Sequence, residues 1–132
     1  MPTTTLSEAV TRGIRVSVRA RFSEQNSDPQ ARQWVFLYTI TIRNEGGERV
    51  QLLSRHWIIT DANGEIEEVK GPGVVGKQPV LEPGQGFEYT SACPLKTPFG
   101  SMHGTYQMLG PANEPFYVQI AGFALRMPGT MQ

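Results

Sequence analysis

Polar and apolar residues alternate along most of this chain. Ile14, Val16, Val18, Ala20 and Phe22 are interleaved with Arg15, Ser17, Arg19 and Arg21, a period of two that puts one set in a core and the other in water. Trp34, Phe36, Tyr38, Ile40 and Ile42 repeat the pattern opposite Val35, Leu37, Thr39 and Thr41, which predicts a central strand covered on much of both faces. Further strands are predicted over residues 50–61, 65–70, 79–81, 87–93, 101–108 and 116–124. Ile66 and Val69 are an odd number apart, which predicts a β-bulge between them. Pro94 is expected to end the strand before it.

The breaks between these runs carry turn chemistry. Asp61-Ala62-Asn63-Gly64 reads as a hairpin turn, since Asn-Gly supplies the positive φ that such turns need. Asn44 to Glu48, Glu82 to Gly86 and Gly110 to Pro115 are likewise rich in Gly, Pro and Asn, and residues 23–33 read as a polar connection. No stretch of helical period is long enough to matter. The chain therefore reads as one all-β domain over residues 1–132, an antiparallel sandwich of about seven to eight strands, with an up-and-down barrel as the alternative. Residues 1–10 and 127–132 lack periodicity and read as mobile termini, or for the first ten an addition to a sheet edge.

Composition narrows the function classes. The formal charge is zero, which argues against a nucleic-acid binder that neutralises phosphates. The charge is nonetheless polarised: residues 1–60 hold eight arginines against five carboxylates, and residues 61–132 four bases against seven carboxylates. That suits head-to-tail contact or an oppositely polarised partner. A single cysteine, Cys93, leaves no internal disulfide framework and suits a reducing compartment. With no basic and apolar leader and no apolar run of membrane-spanning length, the expectation is a cytoplasmic protein without membrane insertion.

One stretch stands apart. Lys70, Gly71, Gly73, Gly76 and Lys77 place three glycines at G-x-G-x-x-G spacing between two lysines. Closely spaced glycines let backbone N–H groups approach an anion, but a dinucleotide site also needs a helix opening from the last glycine. Here Pro79, Pro83, Gly84 and Gly86 follow, and proline costs a helix about 3 kcal/mol and glycine about 1. The stretch is either a helix-free anion nest, binding phosphate, diphosphate or a nucleotide, or a shaped loop that meets a partner. Beside it, Arg55, His56 and Trp57 form a candidate interaction surface, because arginine and tryptophan dominate interface energetics; Trp57 in the core is the competing placement. Pro98, Phe99 and Met102 offer a second apolar rim.

Chemistry beyond binding finds little support. His56, Asp61, Cys93 and His103 are scattered, without metal-ligand spacing, so no metal site or cofactor is predicted. Cys93 shares its strand's inward face with Phe87 and Tyr89, which suits a buried thiol, and no nucleophile is paired with a base. No catalytic residue is assigned.

Arg55-His56-Trp57, Asp61-Ala62-Asn63-Gly64, Gly71-Pro72-Gly73-Val74-Val75-Gly76, Pro79-Val80-Leu81-Glu82-Pro83-Gly84 and Gly100-Ser101-Met102-His103-Gly104-Thr105-Tyr106, in this order, resemble the ApaG family over nearly the whole chain. The resemblance implies a fibronectin type III-like or immunoglobulin-like sandwich. It also implies a link to cobalt tolerance and magnesium efflux, and a binding module rather than an enzyme, since ApaG domains also occur within larger eukaryotic proteins. The expected function is therefore a non-catalytic protein–protein interaction domain with a protein partner and room for homodimerisation; phosphate or nucleotide sensing at residues 71–77, and then divalent-metal binding, are the alternatives.

Overall fold

The predicted alternation builds two antiparallel sheets packed face to face. The computed structural model describes residues 4–129 and holds nine strands: β1 (Thr4–Thr11), β2 (Ile14–Asp28), β3 (Gln33–Asn44), β4 (Val50–Asp61), β5 (Ile66–Pro72), β6 (Val80–Leu81), β7 (Gly86–Leu95), β8 (Phe99–Leu109) and β9 (Pro115–Arg126). One sheet has the order β1-β2-β3-β7; the other runs β5-β4-β8-β9, with β6 also paired to β4. The expected sandwich is therefore the architecture found, with one strand more than the alternation showed.

That extra strand is β1, so residues 4–10 are ordered at a sheet edge and the expectation of a mobile arm gives way there; residues 1–3 and 130–132 lie outside the described residues. The reason is chemical. Thr5 Oγ1 donates to the Ala124 carbonyl, Ser7 Oγ to the Ala121 carbonyl at 2.9 Å, and Thr11 Oγ1 accepts from the Gln119 amide at 3.1 Å. Hydroxyls on β1 thus satisfy the free backbone groups of β9 and close one side of the sandwich.

Other boundaries shift in the same direction. β2 runs on through the expected polar connection to Asp28, with a register irregularity between Ser23 and Asp28 and a 3₁₀ turn at Pro29–Ala31. β7 continues through Pro94 to Leu95, because an edge strand can hold a proline whose missing N–H faces away from its neighbour. No bulge lies between Ile66 and Val69, where β5 pairs with β4 without a break; the irregularity in β4 falls between Leu52 and Ser54. The Asp61 to Gly64 hairpin forms as expected, with Gly64 at φ 83° and its amide donating to the Asp61 carbonyl.

The core is made by inward residues of both sheets: Val16, Val18, Phe36, Ile40 and Ile42 from one, and Leu52, Trp57, Tyr106, Met108, Val118 and Ile120 from the other. Each such side chain contributes about 1.5–3 kcal/mol of burial. Buried Asn44 holds one end together, donating to the Glu48 and Leu81 carbonyls and accepting from the Gly46 amide. On the side opposite the β1–β9 seam, β5 and β7 are both edge strands. The glycine stretch lies there.

Candidate functional site

The register of β5 on β4 decides what the glycines do. Arg55 faces Gly71, His56 faces Lys70 and Trp57 faces Val69. Because faces alternate along a strand, Arg55, Trp57, Val69, Glu67 and Gly71 point between the sheets, while His56 and Lys70 point out. Lys70 and Gly71 thus belong to a strand rather than a loop.

After Pro72 the chain makes a two-residue hairpin. Val74 and Lys77 exchange backbone hydrogen bonds at 2.8 and 2.9 Å, and the two residues between them, Val75 and Gly76, have φ of 43° and 79°. Positive φ at both central positions is the type I′ pattern. Gly73 is required twice over: its φ is 63°, and a Cβ there would lie 2.3 Å from the Lys77 carbonyl oxygen. Val74 is wholly buried and anchors the hairpin, whereas Val75 is 54% exposed at its tip.

This arrangement consumes the donors an anion nest would need. The Gly73 amide donates to the Leu53 carbonyl at 2.8 Å, and those of Val74 and Lys77 to each other's carbonyls. No helix follows; the next element is the short β6.

Arg55 braces the hairpin from beneath. A Cβ on Gly71 would meet the guanidinium at 3.0–3.2 Å, so the absence of a side chain makes the room that Arg55 fills. From there Nη1 donates to the carbonyls of Pro72, at 3.0 Å, and Gly73, at 2.9 Å. The guanidinium also lies within electrostatic reach of three tyrosines. Burial raises the hydroxyl pKa of Tyr38, Tyr89 and Tyr106, and the charge on Arg55 opposes that rise in each. Tyr89 and Tyr106 hydrogen-bond to one another through their hydroxyls in the core.

The three-residue candidate surface is therefore split. Trp57 is 2% exposed and packs edge-on against Tyr38 and Phe123, with ring centroids 5.4 and 6.0 Å away. It is core, and not a surface anchor. Among the described residues its indole N–H has no hydrogen-bond partner. His56 points outward, with Nε2 2.7 Å from Glu68 Oε1. Around it, Ser54, Lys70, Thr105, Gln107 and Tyr117 line a shallow hollow of about 450 Å³ on the outer face of the β4 sheet. Tyr117, 61% exposed, was not singled out by the sequence, because a lone outward aromatic near a strand end has no periodic signal.

Between the edges of β5 and β7 a second hollow, of about 270 Å³, is lined by Tyr38, Arg55, Trp57, Glu67, Val69 and Ser91 among others. Cys93 also borders it, but burial, and then the nearby Glu67 carboxylate, push its thiol up to about 12, which keeps it protonated and unreactive. His103 is exposed on the outer face. Met102 is buried, so the proposed second apolar rim loses that member. Among the described residues no three of His, Cys, Asp and Glu converge as metal ligands, and no helix is long and apolar enough to cross a membrane.

Comparison with known proteins agrees with the sequence resemblance. Residues 24–110 match the model of the ApaG domain. The chain is 55% identical to Protein ApaG of Anaeromyxobacter sp. (strain K), over 96% of this chain and 99% of that protein, and 52% identical to Protein ApaG of Bordetella pertussis, over 89% and 90%. A crystal structure of a Bordetella pertussis protein described as ApaA superposes with a TM-score of 0.86 at 51% identity, covering 92% of this chain and all of that one. The C-terminal domain of wzt shares the fold at a TM-score of 0.53 and 8% identity.

Proposed function

This chain belongs to the ApaG family, and from that premise we propose that it is a non-catalytic protein–protein interaction domain whose contact region is the hairpin at residues 73–77 with the adjoining β5. The observation that carries this reading is the exposed tip. Val75 is a β-branched residue in the left-handed region, which costs roughly 1–2 kcal/mol, and its side chain is open to water instead of packed. A folded chain that keeps a strained apolar residue at the end of an arginine-braced hairpin presents a preorganised contact. Lys70 and Lys77, neither of them ion-paired among the described residues, flank that tip, and the hollow around His56 and Tyr117 extends the surface across the sheet.

Phosphate sensing has less to stand on, since the amides of Gly73, Val74 and Lys77 already donate to the backbone carbonyls of Leu53, Lys77 and Val74. For direct metal binding the described residues offer no converging ligands. A link to cobalt tolerance and magnesium efflux would then run through the protein partner.

The test is affinity capture from the native cytoplasm with the parent chain, Val75→Asp and Lys70→Glu, read by quantitative mass spectrometry. The account expects one protein to be retained by the parent and lost from both variants, each of which keeps its fold by circular dichroism. Equal retention by parent and variants, or no specific retention, would contradict it.

A further inference from the structure

We propose that the opening between β5 and β7 receives the C-terminal segment of a partner polypeptide, laid in as an extended strand with its terminal carboxylate on Arg55. This rests on the interaction reading above and names the partner's chemistry.

The two sides of the sandwich are not alike. On one, β1 hydroxyls satisfy the β9 backbone; on the other, among the described residues, β5 has only β4 beside it and β7 only β3. Two uncovered edges flanking a hollow are the requirement for capture of a strand. The hollow is also charged in a particular way. Arg55 points into it with Nη1 engaged by two carbonyls, while Nε and Nη2 have no partner and no carboxylate oxygen lies within 4 Å among the described residues. A half-buried guanidinium with free donors fits a carboxylate.

At the far end the sign reverses. Glu67 points inward from an edge strand with no ion-pair partner among the described residues, and the adjoining hollow of about 290 Å³ beyond it is lined by Asp61 and Glu65 together with Lys96. Between the two ends lie Val69, Trp57 and Tyr38. β5 runs from Glu67 toward Gly71, opposite Arg55, whereas β7 runs from Tyr89, which feels Arg55, toward Cys93, which feels Glu67. A segment whose carboxylate lies at Arg55 is therefore antiparallel to β7, the commoner pairing.

Register then sets the motif. Inward positions recur every second residue, and Glu67 to Gly71 spans about 13 Å at a rise of roughly 3.3 Å per residue. The last residue of the guest sits at Arg55, the residue two before it is apolar and fills the space over Val69 and Trp57, and the residue four before it is Lys or Arg facing Glu67.

The test uses the whole ¹⁵N-labelled protein and the hexapeptide acetyl-Ser-Lys-Thr-Val-Thr-Ala as its free acid, as its C-terminal amide, and with Glu in place of Lys. The free acid should give saturable shifts of the Val69, Gly71, Ser91 and Cys93 amides, with the amide form at least about tenfold weaker. Glu67→Gln, an exposed change that spares the hairpin, should bring the Lys and Glu peptides to within about twofold of each other. Equal binding of acid and amide, shifts along β1 and β9, or no shift at millimolar peptide would overturn the assignment. So would concentration-dependent shifts of the same amides without peptide, which place a second copy in the groove. If the peptide fails while Val75→Asp still abolishes partner capture, the C-terminal class falls and the interaction reading stands.

Discussion

Arg55 and Gly71 face each other across the β4–β5 pair, and the guanidinium of one occupies the volume a side chain on the other would need. The two positions are coupled. Arg55→Ala removes the bonds to the Pro72 and Gly73 carbonyls and should cost about 1.5–3 kcal/mol in urea denaturation. Gly71→Val should cost a similar amount by expelling the guanidinium. The double variant should cost clearly less than the two together, since either change alone breaks the same contact. Strict additivity would show that the residues act independently.

Gly73 and Gly76 both have positive φ but differ in surroundings. At Gly73 a Cβ collides with the Lys77 carbonyl, whereas at Gly76 nothing lies within 4 Å of one. Gly73→Ala should therefore lose about 2 kcal/mol or more, and Gly76→Asn less than about 1 kcal/mol, because asparagine tolerates this backbone region. Urea midpoints at constant m-value decide the comparison.

Val75 separates stability from binding. Val75→Asn gives the hairpin the Asn-Gly pair that type I′ turns prefer and should raise stability by up to about 1 kcal/mol. If Val75 is kept for contact, the same change should weaken partner capture. A variant that is more stable and captures equally well would leave the strained valine without a purpose.

Alkaline pH should destabilise the fold. Burial raises the Cys93 thiol from its ordinary 9.0 to about 12, and raises Tyr38, Tyr89 and Tyr106 above 10.0. The unfolded chain loses these protons first, so the stabilisation is complete below about pH 9 and declines as pH rises above it, more steeply once the tyrosines of the unfolded chain ionise. Denaturation midpoints at about pH 7, 9.5 and 11 should fall in that order, and Cys93→Ala should flatten the first step. A pH-independent midpoint would contradict the buried, protonated groups.

The alternation in β2, β3 and β7 was legible because large apolar residues take the inward positions. It failed at β1, where Thr5, Ser7 and Thr11 face the seam with β9 and act through hydroxyls instead of apolar area. It failed again at β5, where Ile66, 67% exposed, points out and Glu67 points in, an inversion that imitates a bulge. In the site, the absence of a helix after Gly76 followed from Pro79 and Pro83. The pairing of Arg55 with Gly71 could not be read, because it depends on the register set by the Asp61 hairpin across two strands. For the same reason Trp57 could be placed equally in the core or at the surface until its neighbours Tyr38 and Phe123 were known.

The most direct test of the interaction account is site-specific photocrosslinking in living cells, with a benzophenone amino acid replacing Val75 in one strain and Thr90, on the outer face of the β7 sheet, in another. The account predicts a discrete higher-mass adduct from position 75 and none from position 90. Adducts from position 90 alone, or from neither position, would contradict a partner seated on the hairpin.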